Sequence, residues 1–331
     1  MNQLSHIQRQ KHILDARWNI LAAIRAFFIE TDFTEIETPA LLTHAGQDPY
    51  LSPMALFIHD EHGTPYQAYL HTSPEYSMKK MLAAGYDRIF FLGKCFRDHE
   101  SFGGLHNPEF TMLEFYETHS NMFGLMERVE ELFQYVGKHV EEATGKRAIL
   151  PVTRIHMRDL WQQTLGVDLD AYLTTSSLLQ LCIDIGYAPG ETESYEDLFY
   201  RIFLNKIEPA LGDMGVVMIH HYPAQMASLA MLSEKDRRYA ERVEVYAGGI
   251  ELANGFTELT NGDQQRERFE AEQAMRRNLG KPVYPIDEDF IEAVDSLPNC
   301  AGIAIGVDRL VQMLLGCQNI DDVLVLPMSK Q

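Results

Sequence analysis

This sequence is poor in the features that tie a chain to a membrane, an oxidising compartment or a polyanion. No apolar run approaches the roughly 18 residues of a membrane span, and Met1-Asn2-Gln3-Leu4-Ser5 has no basic-then-apolar leader pattern. Both absences predict a cytoplasmic protein with no membrane partner. The four cysteines, Cys95, Cys182, Cys300 and Cys317, form no CxxC pair, which predicts buried, reduced thiols rather than a disulfide framework. The 13 histidines show no metal-ligand spacing, and His220-His221 on a strand would point to opposite faces. Basic charge is also scarce. Lys+Arg total 28 against 48 Asp+Glu, a net charge of −20, and such a field disfavours nucleic acid as a partner. Repeats and low-complexity linkers are absent. The 331 residues, 46% hydrophobic, therefore read as a single domain over 1–331 with a motif-free helical insert at about 151–211.

Hydrophobic spacing organises what is there. Leu14, Trp18, Leu21, Ile24 and Phe28 recur at helical intervals and predict an amphipathic helix to about residue 30. Strands are predicted at residues 54–59 and 67–72, flanking a turn at Gly63-Thr64-Pro65. Ser120 is predicted to cap a helix with the stripe Leu125, Val129, Leu132/Phe133, Val136 and Val140. Strand character returns at 216–222, 242–246 and 249–256, and helices follow near 263–279 and 287–297. Interspersed helices and mostly antiparallel strands indicate an α+β fold.

Three clusters carry chemistry. In Gly302-Ile303-Ala304-Ile305-Gly306-Val307-Asp308-Arg309-Leu310, Gly302, Ala304 and Gly306 share one strand face, and a helix with Arg309 in its first turn follows. Small residues on one face imply close approach to that backbone, and a planar cation beside free N–H groups favours phosphate. Phe110, Met112, Glu114 and Tyr116 also alternate, joining a ring, a carboxylate and a phenol on one surface. The third cluster is Glu244 and Glu251, separated by a Gly248-Gly249 kink that can realign their faces.

Phe96-Arg97-Asp98-His99-Glu100, with His106-Asn107-Pro108-Glu109-Phe110-Thr111 after it, resembles motif 2 of the class II aminoacyl-tRNA synthetases, which implies an antiparallel pair of strands at 88–96 and 109–117. The stretch from Phe33 to Glu37-Thr38-Pro39 resembles motif 1, and the Gly302 segment resembles motif 3, all in order. Thr72-Ser73-Pro74-Glu75 and Gly249-Ile250-Glu251-Leu252-Ala253-Asn254-Gly255-Phe256-Thr257-Glu258-Leu259 are similar to the lysyl-tRNA synthetase branch. Motif 1 is complete by Pro39, which leaves room only for its helix and none for an anticodon-reading barrel. The pattern thus resembles the free-standing lysyl-tRNA synthetase paralogues that modify translation elongation factor P.

That resemblance implies a mostly antiparallel sheet of six to seven strands flanked by helices, with a helical insert between motifs 2 and 3. It implies a bacterial cytoplasmic ligase that uses ATP and Mg2+ to activate (R)-β-lysine, or lysine, as an adenylate. Elongation factor P is the implied acceptor, through a lysine ε-amine. A homodimer formed through motif 1 is also implied, without anticodon recognition. The alternative is a truncated lysyl-tRNA synthetase-like enzyme that charges tRNA or amidates another small acceptor.

Residue by residue, the resemblance makes Arg97 the clamp on the α-phosphate and attacking carboxylate, and Arg309 the cation at the γ-phosphate. Asp98, His99, Asn107, Phe110, Glu251, Leu252 and Gly306 complete the implied ATP site, with Phe110 stacking on adenine and Glu244 and Glu251 bridging Mg2+. The implied amino-acid pocket is Ser73, Glu75, Glu114, Tyr116, Asn254, Glu258 and Ala304. Within it Glu75 lies near the amine next to the reacting carboxyl, and Glu258, helped by Tyr116, meets the distal ammonium. Two positions depart from the lysyl branch: His99 replaces a glutamate, with Glu100 one place later, and Ala304 replaces a glycine. Alanine there matches the elongation factor P ligases, and its methyl on the pocket floor suits an amine on Cβ.

Overall fold

Local spacing sorts the chain into a long N-terminal helix, a large sheet and helices on both of its faces. The computed structural model describes residues 3–144, 151–190 and 192–331. Residues 1–2 of the N-terminal stretch, 145–150, and 191 inside the expected insert lie outside the described residues. Helix α1 (Gln3–Glu30) buries Leu14, Ile20, Ile24, Phe27 and Phe28 along one stripe. Trp18 was expected on that stripe but is 51% exposed. The stripe runs through its neighbour Arg17, and one residue is a turn of about 100°.

Short strands β1 (Thr34–Glu35), β2 (Leu41–Leu42), β3 (Ala55–His59) and β4 (Pro65–Leu70) lead to α2 (Glu75–Ala83). The long pair β5 (Arg88–Phe96) and β6 (Glu109–Thr118) follows, then α3 (Met122–Thr144). After β7 (Val152–His156) come α4 (Met157–Leu165), α5 (Thr175–Asp184), α6 (Tyr195–Ile202) and α7 (Glu208–Leu211). Strands β8 (Val216–Pro223), β9 (Tyr239–Ala247) and β10 (Ile250–Thr257) return to the sheet. Helices α8 (Gly262–Asn278) and α9 (Glu288–Asp295) precede β11 (Cys300–Gly306) and α10 (Val307–Leu315).

The large sheet has eight strands in the order β1-β5-β6-β11-β10-β9-β8-β7, and β2-β4-β3 form a second, three-stranded sheet. Its inner pairings are antiparallel, and the outermost ones, β1–β5 and β7–β8, are parallel. This is the α+β architecture expected, with more strands than the expected six to seven. Residues 152–156 fell in the stretch read as helical, yet Val152, Thr153 and Ile155 pair with β8. Five residues are too few to show a period, and β-branched residues suit an edge strand.

Alternate residues of each strand feed different cores. Phe90, Leu92, Leu113, Phe115, Ile303 and Ile305 join residues of α1, α3 and α10 in one core. Ile89, Phe91, Met112 and Tyr116 face the other way, with Phe269 of α8 and Phe290 of α9. At the far end of the sheet Val217, Ile219 and Tyr246 pack with Trp161, Leu178 and Phe199 of α4, α5 and α6. Phe110 and Glu114 share the parity of Met112, so their face is the one beneath α2, α8 and α9.

Two local expectations change. Asn121, not Ser120, caps α3: its Oδ1 accepts from the Phe123 and Gly124 N–H groups at 2.9 and 3.2 Å. His220 and His221 do not point apart. A bulge between His220 and Tyr222, with His221 at φ 61°, breaks the alternation and leaves their Nδ1 atoms 2.6 Å apart. The cysteines are free thiols, with Cys95, Cys182 and Cys300 buried. Among the described residues no helix is long and apolar enough to cross a membrane.

Candidate active site

Strand register builds the site. Pairing of β6 with β11 sets Glu114 opposite Ala304 and Tyr116 opposite Gly302, and pairing of β10 with β11 sets Asn254 opposite Ala304. Glu114, Ala304 and Asn254 are therefore abreast on three neighbouring strands. A cleft of about 420 Å³ is lined by them together with Ser73, Glu75 and Tyr116. Arg97, Asn107, Phe110, Glu251, Leu252, Gly306 and Arg309 line the same cleft. Phe110 and Glu114 are four residues apart on an extended strand, so Arg97, beside the Phe110 ring, marks one end of the cleft and Glu114 marks the other, acidic end.

Helix α10 is anchored from behind. Arg17 of α1 lies 2.6 Å from Asp308, the Asp308 carboxylate accepts from the Thr111 N–H at 2.8 Å, and Arg17 donates to Thr111 Oγ1 at 2.9 Å. This buried network ties α1, β6 and α10 together and holds the turn from which Arg309 projects. Arg309 donates to the carbonyls of Glu251 at 2.8 Å and Leu105 at 3.2 Å, and to His106 Nε2 at 2.6 Å. Burial and the adjacent Arg309 charge hold the His106 pKa below its ordinary value, which suits the acceptor role. Arg97 lies 5.0 Å from the Phe110 ring centroid, and its Nε has no hydrogen-bond partner.

The loop between β5 and β6 does not bring every expected residue inward. Asp98 and His99 do not line the cleft; His99 has φ 61° and is exposed, while Glu100 and His106 take the wall. The left-handed residue turns the chain, so the carboxylate on the wall is that of Glu100, one place after His99. Asn107 lines the cleft, but its Nδ2 donates to Glu109 O at 2.6 Å and its Oδ1 accepts from the Met328 N–H at 2.9 Å.

At the acidic end, Glu114 accepts from Ser73 Oγ at 2.9 Å and from the Tyr116 hydroxyl at 2.8 Å. Tyr116 thus serves Glu114 rather than Glu258. Burial, with the nearby Glu75 carboxylate, pushes Glu114 up to about 8. Glu258, expected in the amino-acid pocket, does not line the cleft; it is enclosed, and is likewise pushed up to about 8 by burial, against the opposing pull of Lys79. Lys79 is the residue that sequence reasoning missed. Its Nζ lies 2.6 Å from both Glu75 Oε1 and Glu258 Oε2. The spacing of Glu75 and Lys79 along α2 was the only local signal, and Lys80 beside it looks equally plausible in sequence. Glu272 of α8 was missed too; it lines the cleft, and burial followed by the Asp48 charge pushes it up to about 8. Glu258 Oε1 and Asn254 Oδ1 are buried acceptors with no partner, which suits a ligand that donates hydrogen bonds.

The two carboxylates expected to bridge a metal differ. Glu251 opens to the cleft with Oε2 3.8 Å from Arg309. Withdrawal from bulk water and the Glu244 charge push it up to about 7. Glu244 is enclosed: its oxygens accept from Arg242 at 2.5 Å, Tyr222 at 2.6 Å and Tyr246 at 2.7 Å. The Gly248-Gly249 turn, with φ of 58° and 78°, closes the hairpin and sets Glu251 opposite Tyr246 rather than Glu244. Among the described residues no group of three His, Cys, Asp or Glu side chains is arranged to hold a metal.

Gly302 is required where it stands. A Cβ there would lie 2.1 Å from Tyr116 Cε1, so the close approach inferred from the small residues is the Tyr116 ring. Gly302→Ala is expected to cost about 1–3 kcal/mol through overpacking, read as a lower thermal midpoint. An unchanged midpoint would mean that Tyr116 moves aside freely.

Residues 3–330 match the class II tRNA synthetases (D, K and N). The elongation factor P--(R)-beta-lysine ligase of Yersinia enterocolitica is 39% identical over 313 residues, covering 94% of this chain and 93% of that protein. Its namesake from Photorhabdus laumondii is 40% identical over 318 residues, 95% of this chain and 94% of that one. A third, from Salmonella paratyphi B, is 38% identical over 314 residues, 94% and 93%. With the family match running almost end to end, and with a mostly antiparallel sheet carrying the cleft, the chain belongs to the class II tRNA synthetase family.

Proposed function

We propose that this protein is an ATP-dependent, AMP-forming ligase that joins (R)-β-lysine, or lysine, to a lysine ε-amine of elongation factor P. The observation that carries this reading is one cleft with Arg97 and Arg309 toward one end and, toward the other, Glu75, Glu114 and the unpartnered buried oxygen of Asn254. The names of the relatives supply the acceptor. In the first step a substrate carboxylate oxygen attacks the α-phosphorus of ATP, the bond to the bridging oxygen breaks, and pyrophosphate leaves. Two anions must approach, and Arg97 and Arg309 are the cations available to offset their charge. In the second step the neutral acceptor amine attacks the acyl carbon, forming an amide and releasing AMP and a proton. Glu75, Glu114 and Glu258 would hold the substrate's two ammonium groups. Phe110 offers a face for adenine, with Leu252 and Gly306 beside it.

Glu251 suits a Mg2+ ion that arrives with ATP, because such ions are held by one or two carboxylates plus phosphates. Bound there, the ion would neutralise phosphate charge. Glu244, already accepting from three donors, suits the part of shaping the wall behind Glu251. A cytoplasmic location belongs to the same proposal, as does one catalytic domain with 151–211 as its insert. So does a homodimer, supported by exposed Trp18 and Ile29 on α1 and Phe57 and Tyr66 on the small sheet. Sedimentation at micromolar concentration should give a dimer; a monomer alone would overturn that part.

The deciding experiment is intact-mass measurement of elongation factor P after incubation with ATP and each lysine isomer. One added lysyl mass on the factor, with tRNA left uncharged, is the expected result. Charged tRNA with an unmodified factor would reverse the ranking of the two readings. The pH dependence is an independent check. Glu114 and Glu258 sit at about 8 in the free site, and an ammonium favours their ionised forms. Binding should release protons, and KM for lysine should fall as pH rises from about 6 to about 8. A flat KM over that range would remove these carboxylates from ammonium recognition.

A further inference from the structure

Lys79 pairs with Glu75, which lines the acidic end of the cleft, and the chemistry proposed above leaves this lysine unused. It is buried on α2, one turn beyond Glu75. Its ammonium spans two carboxylates from different parts of the fold, Glu75 Oε1 and Glu258 Oε2, each at 2.6 Å. Neutralising one buried carboxylate would need only one of these pairs. The second pins Glu258 from one side and leaves its Oε1 without a partner. Glu114 is held apart from this pair by Ser73 and Tyr116. With every group ionised, the cluster is short of two positive charges, the number a diamino acid brings.

Resting on that reading of the substrate, we propose that Lys79 is a specificity-determining residue that fixes where the substrate's amines can sit. Its ammonium fills the point between Glu75 and Glu258, so a substrate amine cannot settle there and slide between the two carboxylates. The isomers of lysine differ by moving one amine one carbon along the chain, about 1.5 Å. Carboxylates pinned by a fixed cation can tell those positions apart, whereas carboxylates free to follow the amine cannot.

The test measures ATP–pyrophosphate exchange with α-lysine and (R)-β-lysine for the parent, Lys79→Ala and Lys79→Arg, each checked for folding by thermal melting. The parent should prefer one isomer. In Lys79→Ala the ratio of kcat/KM between isomers should move toward one by about tenfold, chiefly through KM. Lys79→Arg keeps a cation but places it differently, so its ratio should also fall; it decides the matter if the alanine variant does not fold. Equal losses for both isomers in the folded variants would make Lys79 a fold-supporting residue and overturn the inference. A parent that does not distinguish the isomers would also overturn it, since there would be no discrimination for Lys79 to set. A parent that activates neither isomer would instead bring down the diamino-acid reading, and this inference with it.

Discussion

Arg97→Ala is expected to lower lysine-dependent ATP–pyrophosphate exchange by about a hundredfold or more, with little change in thermal stability. Arg97 lines the cleft near Phe110, and its Nε has no hydrogen-bond partner. Arg309 differs, because two carbonyls and His106 already hold it. Arg97 therefore keeps donors in reserve for charge that develops at the α-phosphate. Losing one preorganised donor of that kind costs about 3–4 kcal/mol in the transition state. Lysine at this position should restore only part of the rate, since a point charge cannot make two parallel hydrogen bonds. Exchange within a few-fold of the parent would remove Arg97 from the mechanism.

Glu258→Gln should have the next largest effect, read in the amino-acid rather than the ATP parameter. The amide keeps the shape of the side chain but removes the charge that faces the Lys79 ammonium and, as proposed, the substrate. Truncating one partner of a buried charge pair costs about 2–5 kcal/mol, so kcat/KM for lysine should fall by about a hundredfold or more. KM for ATP should change little. If both parameters rise together, Glu258 acts on the whole cleft rather than on the amino acid. The enclosed position of Glu258 and its pair with Lys79 make a fold effect possible to separate: Glu75→Gln removes the other partner of the same lysine. A purely structural role predicts similar losses of stability and no selective change in lysine KM for either variant.

Much of the fold was legible because its signals are local. β5 and β6 were read at their observed limits to within one residue through the resemblance of the segments that join them to motif 2. Helix α3 shows its apolar stripe over several turns, and the stripe is buried as read at Leu125, Val129, Leu132 and Val136. The misreadings also have local causes. Trp18 satisfies helical spacing, but the buried stripe is set by what packs on α1, which admits the Arg17–Asp308 pair and turns Trp18 outward. At His221 a bulge cancelled the alternation on which the reading relied.

The sequence by itself determined the class of the protein and the strands that carry its cleft. Alternation, the small-residue face of β11 and the arginine at its helix junction are properties of short segments, and short segments keep them wherever they are placed. Only the tertiary structure decided which charges meet. Lys79 and Glu258 are joined across distant parts of the chain, Glu244 is enclosed by Arg242, Tyr222 and Tyr246, and Glu100 rather than His99 reaches the wall. A charge acts through distance and burial, and neither is set until helices α2 and α8 pack over the sheet and exclude water from the groups beneath.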